Sequence, residues 1–199
     1  MISNNTKQIG NLFIISGPSA VGKTTVTNEI LKITNNIARV VTCTTRSIRE
    51  GEVDGLDYNF IHLDKFKQLI NEDKFVEYSI VYGNYYGVLL FEIAEKIQSN
   101  ESSLLVMNWE GFRKIKKVFP ENVFGFFLLP PTMDDLETRI RMRGANSEET
   151  IANRMNAAIE DISHADEFDF LIENADISKT VDDILSKIFE IKKCHLIEI

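Results

Sequence analysis

Positive charge is scarce in this chain. Lysine and arginine number 22 against 30 aspartates and glutamates, a formal net charge of −8 over 199 residues. A surface of that sign repels nucleic-acid backbones and anionic membranes, so neither is an expected partner. Cysteine is scarcer still. Cys43 and Cys194 lie too far apart to form a metal-ligand pattern, which suits reduced thiols in a cytoplasmic protein. The three histidines, His62, His164 and His195, fall in no ligand spacing either. No apolar run approaches the roughly 18 residues of a membrane span, and the polar start MISNNTKQIGN carries no signal-peptide core. Against this acidic background the arginines are unevenly placed. Seven of the eight fall in two windows, Arg39, Arg46 and Arg49, then Arg139, Arg141, Arg143 and Arg154, which points to local capture of small anions.

The pattern of apolar residues predicts alternating strands and helices. NLFIIS (11–16) reads as a buried strand, 23–33 as a helix, and ARVVTC (38–43) as a second strand. A polar loop then leads to a short strand at YNFIH, a helix over 64–72, and FVEYSIVY followed by a GNYYG turn and another strand. Beyond these come helix 89–98, strand 103–107, helix 110–118, strand 123–129, helix 132–142, helix 148–164, strand FDFLI and a last helix over 180–192. Such alternation predicts an α/β fold with a mostly parallel sheet and helices on both faces. The denser strand signals at 57–88 predict a small β-rich insertion.

GPSAVGKTT, residues 17–25, sits between the first strand and the first helix and fits G-x-x-x-x-G-K-T. Glycines let successive N–H groups curl inward around one anion, and the helix start adds its unpaired N–H groups and positive dipole end. Lys23 suits the β- and γ-phosphates and Thr24 suits Mg²⁺. Gly17, Pro18, Ser19, Ala20, Val21, Gly22, Lys23, Thr24 and Thr25 are therefore the candidate triphosphate site. The loop by itself leaves the phosphoryl acceptor open.

The segment TCTTRSIREGEVDGLDYNF, 42–60, supplies a second anion site. Arg46, Arg49 and Tyr58 offer two guanidinium forks and a phenol to one phosphate dianion. Together with Glu77, GNYYG, the R-x-x-x-R-G of Arg139 to Gly144 and the later Arg154, the chain resembles the guanylate kinase family from about residue 11 to 192. The resemblance implies transfer of the γ-phosphate of ATP to GMP, with Mg²⁺. It implies a phosphate-loop core over 11–41, 89–138 and 165–199, a GMP-binding region over 42–88, and a helical lid over 139–164. Arg46, Arg49, Tyr58 and Tyr86 would hold the GMP phosphate, and Thr42 and Glu77 would meet the base. Lys23, Arg46 and the lid arginines Arg139, Arg143 and Arg154 would act on the transferring phosphoryl, and Asn174 would lie on the adenine side. Arg141 has no counterpart and reads as one member of a salt-bridged helix face. For Glu77 there is an independent reason. Guanine's Watson–Crick edge presents two adjacent donors that a carboxylate accepts, whereas adenine presents an acceptor. Sites of that kind discriminate by factors on the order of 10⁴.

Four positions depart from the family pattern. Ala20 replaces a glycine and is tolerable only if its backbone is not left-handed. Val88 stands where a hydroxyl would reach the base. Asn108 replaces an aspartate near the guanine amino group, keeping a side-chain oxygen but no charge. Val106 leaves that strand without an acid, so protein support for Mg²⁺ is thin. Relaxed base contacts at Val88 and Asn108, with a raised GMP KM or looser rejection of IMP, are therefore expected. Two other readings stay open at this point: a guanylate-kinase-like binding module for phosphorylated ligands, and a phosphate-loop kinase for another small phosphate ester.

Overall fold

The structure, a computed structural model, describes residues 10–81, 83–99, 101–143 and 147–197, with side chains to 193. Residues 144–146 of the expected lid, and the side chains of Cys194 and His195, lie outside the described residues.

Strand β1 (Leu12–Ser16) is buried along its whole length. Its side chains alternate between two apolar clusters: Phe13 and Ile15 belong to one, Leu12 and Ile14 to the other. A strand buried on both faces needs helices on both faces, and a parallel sheet supplies them through its crossovers. β1 pairs in parallel with β7 (Ser102–Val106) and β8 (Val123–Leu129), β7 with β2 (Ile37–Arg39), and β8 with β9 (Phe170–Glu173). The order is β2-β7-β1-β8-β9. Helix α1 (Lys23–Ile33) and α7 (Ile177–Ile197) supply Val26, Ile30, Val181 and Ile184 to the first cluster, joined there by Leu136 and Ile140 of α5 (Met133–Met142) and by Ile151 and Ala158 of α6 (Glu148–Ser163). α3 (Leu90–Gln98) and α4 (Trp109–Val118) cover the other face with Ile93, Phe112 and Ile115. The parallel, two-faced sheet is as predicted.

A second sheet, ordered β4-β3-β6-β5, forms the β-rich insertion. β6 (Asn84–Leu89) runs antiparallel to both β5 (Phe75–Val81) and β3 (Cys43–Thr44), while β4 (Asn59–Phe60) lies parallel to β3. Its small core is aromatic. Phe66 of α2 (Leu63–Asn71) is fully buried and stacks on Phe75 with ring centroids 4.3 Å apart.

Several boundaries differ from the sequence reading. The strand expected over 38–43 is divided: β2 ends at Arg39 in the core sheet, and the chain crosses at 40–42 to join the second sheet at Cys43. One apolar run thus serves two sheets, which periodicity cannot reveal. GNYYG is not a turn throughout. Asn84 to Gly87 pair within β6, and Gly83 alone of its residues holds a turn conformation, at φ 78°. YNFIH shrinks to a two-residue strand. The last helix starts three residues before the expected 180, because the Asp176 carboxylate accepts the Lys179 N–H at 2.8 Å and caps it.

Phe112 of α4 and Phe168 stack at 4.1 Å over β8. A Cβ at Gly125 would lie 2.5–2.6 Å from atoms of both rings. Gly125→Ala is therefore expected to cost roughly 1–3 kcal/mol through overpacking, read as a lower midpoint in urea. An unchanged midpoint would show that the rings can part freely.

Candidate active site

The segment from Gly17 to Gly22 connects the C-terminal end of β1 to α1. Crossovers leave this edge toward β2 on one side and β9 on the other, the crevice where open α/β sheets bind ligands. Gly17 (φ 135°) and Gly22 (φ 111°) hold backbone conformations open to glycine, and neither has room for a side chain. A Cβ at Gly17 would meet the Leu128 carbonyl at 2.5 Å, and one at Gly22 the Asn174 amide at 2.5 Å. Helix α1 then begins with no side-chain cap and no acid in its first turn. Its leading N–H groups and positive dipole end have no side-chain acceptor among the described residues, an arrangement that suits an anion. Thr24 and Thr25 stand exposed there.

Lys23 folds back over the loop. Its ammonium donates to the Gly17 carbonyl at 2.6 Å and the Pro18 carbonyl at 2.9 Å. Burial lowers its pKa from 10.5 to about 8; Asp161 opposes the shift, and Arg143 adds to it. Ala20 has φ 67°, so the condition set by the sequence, a backbone outside the left-handed region, is not met. The loop keeps its shape and the alanine bears the strain.

Two predicted site residues support the loop from below. The Val21 carbonyl accepts from the Asn174 side-chain amide at 2.7 Å and from Arg139 Nη1 at 3.2 Å, and Arg139 Nη2 donates to the Asn174 carbonyl at 3.1 Å. Asn174 is 3% exposed. Arg139 lies within α5, braced against the core. Arg141 is bound between Glu137 and Glu148, each at 2.7 Å, as its salt-bridge reading anticipated. Arg143 closes α5 and is exposed. Arg154 on α6 has a buried Nε with no partner among the described residues.

The second cradle forms in the insertion. Arg46 Nη1 and Nη2 donate to the two oxygens of Glu52 at 3.0 and 2.6 Å, and Nη1 also reaches the Ser47 carbonyl. The guanidinium lies 5.5 Å from the Tyr58 ring centroid, and Tyr58 meets Tyr86 edge-on at 5.9 Å. Hydrogen bonding from Glu52, aided by Tyr86, holds the Arg46 pKa above its usual value. Arg46, Tyr58 and Tyr86 thus come together. Arg49 contributes its backbone N–H, which donates to Glu52 at 2.8 Å, while its side chain is exposed. Glu52 stands in the quoted motif, three residues after Arg49, but sequence reasoning gave it no role.

Of the residues expected to meet the base, Glu77 of β5 lies opposite Val88 of β6. Glu77 is 7% exposed, and burial raises its carboxyl pKa, with Glu110 adding to the shift and Lys114 opposing it. Glu110 and Lys114 lie four apart on α4, so that face of the helix looks toward Glu77. Val88 packs into the apolar cluster of α3 and α4. Asn108 was expected to offer its oxygen to the base. Here that oxygen caps α4 by accepting the Gly111 N–H at 3.0 Å, and the amide donates to Glu110 at 3.2 Å. Thr42 precedes β3, and its carbonyl accepts the Asn59 N–H. Asp161 was missed as well. Nothing marks it in sequence, since α6 brings it to Lys23 only in the fold.

Residues 9–191 match the family model described as guanylate kinase. The chain is 41% identical to guanylate kinase of Carboxydothermus hydrogenoformans over 88% of its own length and 85% of that protein, and 42% identical to that of Haemophilus influenzae over 89% and 86%. The crystal structure of guanylate kinase from Anaplasma phagocytophilum superposes with a TM-score of 0.73 at 33% identity, covering 92% of this chain and 86% of that one.

A left-handed alanine costs about 1–2 kcal/mol, against roughly 0.4–1 kcal/mol for the extra unfolded-state entropy of glycine. Ala20→Gly is expected to raise Tm by roughly 2 °C. A Tm equal to or below that of the parent would mean the strain at position 20 is absent.

Proposed function

Because the chain belongs to the guanylate kinase family, we propose that its two cradles hold ATP and GMP for direct transfer of the γ-phosphoryl group. The carrying observation is the phosphate loop itself, an uncapped helix start overlaid by Lys23, whose ammonium is held among the described residues by two loop carbonyls. Phosphate oxygens would replace those carbonyls as acceptors. Residues 42–88 would be the acceptor-binding region and 139–164 the lid, on a core of 11–41, 89–138 and 165–199. The two arginine windows support small anions as partners, and the net charge of −8 supports no nucleic acid. The two widely separated cysteines suit a cytoplasmic setting in which thiols stay reduced.

No protein nucleophile is needed. A GMP phosphate oxygen attacks the γ-phosphorus in line, and the bond to the ADP oxygen breaks. Arg46 would hold the attacking phosphate through the edge that Glu52 leaves open, its Nε–H and second Nη2–H, with Tyr58, Tyr86 and Arg49 around it. Lys23 and the loop N–H groups would hold the β- and γ-phosphates. Arg143 and Arg154 would offset charge on the moving group, and Arg139 would brace the loop. Among the described residues no set of three His, Cys, Asp or Glu side chains can hold a metal. Mg²⁺ fits nonetheless, since it keeps several waters and takes most other ligands from substrate phosphates, and in loops of this pattern the Ser/Thr hydroxyl is its protein ligand. Thr24, exposed at the helix start, would give that hydroxyl. When bound, the ion neutralises charge shared between the β- and γ-phosphates.

Glu77 would accept N1–H and N2–H of guanine. With Val88 apolar and the Asn108 oxygen occupied in the helix cap, it would do so with less help than the family pattern provides. Glu77→Leu is expected to raise the GMP KM about a hundredfold or more while leaving the ATP KM near its parent value. IMP, which lacks the 2-amino group, should lose less. Steady-state assays with GMP, dGMP, IMP and AMP decide this: equal losses for GMP and IMP would remove Glu77 from the 2-amino group, and no loss for either would remove it from the base.

Lys23 gives a pH signature. Its pKa of about 8 in the free protein must rise when phosphates approach. Below that pH the lysine is charged before and after binding, so the ATP KM is flat. Above it, binding must take up a proton, and log KM rises with a slope approaching one. Lys23→Arg should abolish the rise. A flat profile in the parent protein would mean that Lys23 does not face the triphosphate.

A further inference from the structure

Thr180, in the first helical turns of α7, occupies a place to which no motif draws attention. It is 1% exposed. Its hydroxyl lies 2.9 Å from Asn174 Oδ1 and 3.3 Å from the Glu173 carbonyl. A hydroxyl has one proton, and the shorter contact is to the amide oxygen.

That contact completes the orientation of the Asn174 amide that the Val21 carbonyl requires, by giving the amide oxygen its donor. The oxygen and nitrogen of an asparagine are nearly isosteric, so partners alone fix the orientation. On one side the Val21 carbonyl, 2.7 Å away, demands the nitrogen. On the other, Thr180 offers a proton to the oxygen. The backbone of Asn174 is pinned separately, its N–H donating to the Leu129 carbonyl at 2.8 Å and its carbonyl accepting from Arg139. Only the side-chain amide is free to turn over, and turned over it would set two acceptors against each other at Val21.

The consequence reaches the loop through peptide geometry. The peptide bonds are trans, so the C=O and N–H of one unit point in opposite directions. Two donors drawing the Val21 carbonyl down toward Asn174 and Arg139 therefore turn the Gly22 N–H up, away from them. Among the described residues that N–H has no acceptor. The Asn174 nitrogen also lies 2.5 Å from where a Gly22 Cβ would be, so it touches the loop with no intervening layer.

We propose that Thr180 is a positioning residue for the donor nucleotide: its hydroxyl orients the Asn174 amide, which with Arg139 holds the Val21 carbonyl so that the Gly22 N–H faces the triphosphate. This rests on the reading of 17–25 as the ATP site, and Lys23→Ala tests that reading separately. In steady-state assays Thr180→Val, which keeps shape and removes the proton donor, is expected to raise the ATP KM about tenfold. The GMP KM should stay within about twofold, and Thr180→Ser should restore the parent ATP KM. Thr180→Ala repeats the measurement if the valine variant does not fold. An ATP KM unchanged in the folded variants overturns the inference. So does a loss shared equally by both substrates together with a lowered Tm, which would make Thr180 merely structural. If Lys23→Ala leaves the ATP KM and kcat at parent values, the loop reading itself fails. If Lys23→Ala is inactive while Thr180→Val behaves as the parent, only the role of Thr180 falls.

Discussion

The site depends on the burial of β1 from both faces. Leu12, Phe13, Ile14 and Ile15 are each at most 1% exposed, and they alternate between two apolar clusters. A strand in that position cannot slip, because a shift by one residue would exchange every side chain between clusters built for other shapes. The phosphate loop leaves from its end, and the Leu128 carbonyl of the neighbouring strand stands 2.5 Å from where a Gly17 side chain would begin. The loop is thus wedged between a fixed strand and a fixed helix. Its unusual backbone angles follow from that confinement, down to the alanine at position 20 that adopts a glycine's conformation.

An acidic protein that gathers cations must hold them in the absence of substrate, and three of those here have an internal acceptor. Lys23 rests on two loop carbonyls, Arg46 on Glu52, and Arg139 on the carbonyls of Val21 and Asn174. These substitutes differ in kind. Carbonyls are neutral, so Lys23 bears the cost of burial and its pKa falls. Glu52 is charged, so Arg46 keeps its proton more firmly than usual. The first arrangement leaves a cation whose proton an approaching phosphate would hold more firmly. The second leaves a neutralised pair whose remaining donors give direction more than net charge.

What could be read from the sequence was what is local in it. The phosphate loop, the arginine loop at 42–60 and the two-faced parallel sheet each declare themselves within a few residues, through glycine spacing, paired guanidiniums or apolar runs. The division of 38–43 between two sheets stayed hidden because both halves are apolar. The left-handed state of Ala20 was posed as a condition and could not be decided, since φ is set by confinement between β1 and α1. The support beneath the loop was wholly out of reach: Val21 and Asn174 are 153 positions apart. Asn108 shows a subtler limit. Its residue type allowed an acceptor for the base, but the nearer claim came from the unpaired N–H of its own helix.

On the proposed assignment, selectivity for the base follows from a cost that the protein carries before any ligand binds. Glu77 is buried enough that its charged form is disfavoured, a penalty that Lys114 on the facing helix eases and Glu110 beside it increases. A ligand edge with two adjacent donors removes that penalty by hydrogen-bonding the carboxylate. An edge that presents an acceptor leaves the penalty in place and adds a repulsion. On the proposed assignment the discrimination is therefore written into the desolvation of one carboxylate, and it survives the loss of a hydroxyl at Val88. The apolar packing of Val88 beside it helps keep water away and sustains the very penalty that a guanine edge relieves. Val88 thus gives up a contact to the base while strengthening the term on which base choice chiefly rests.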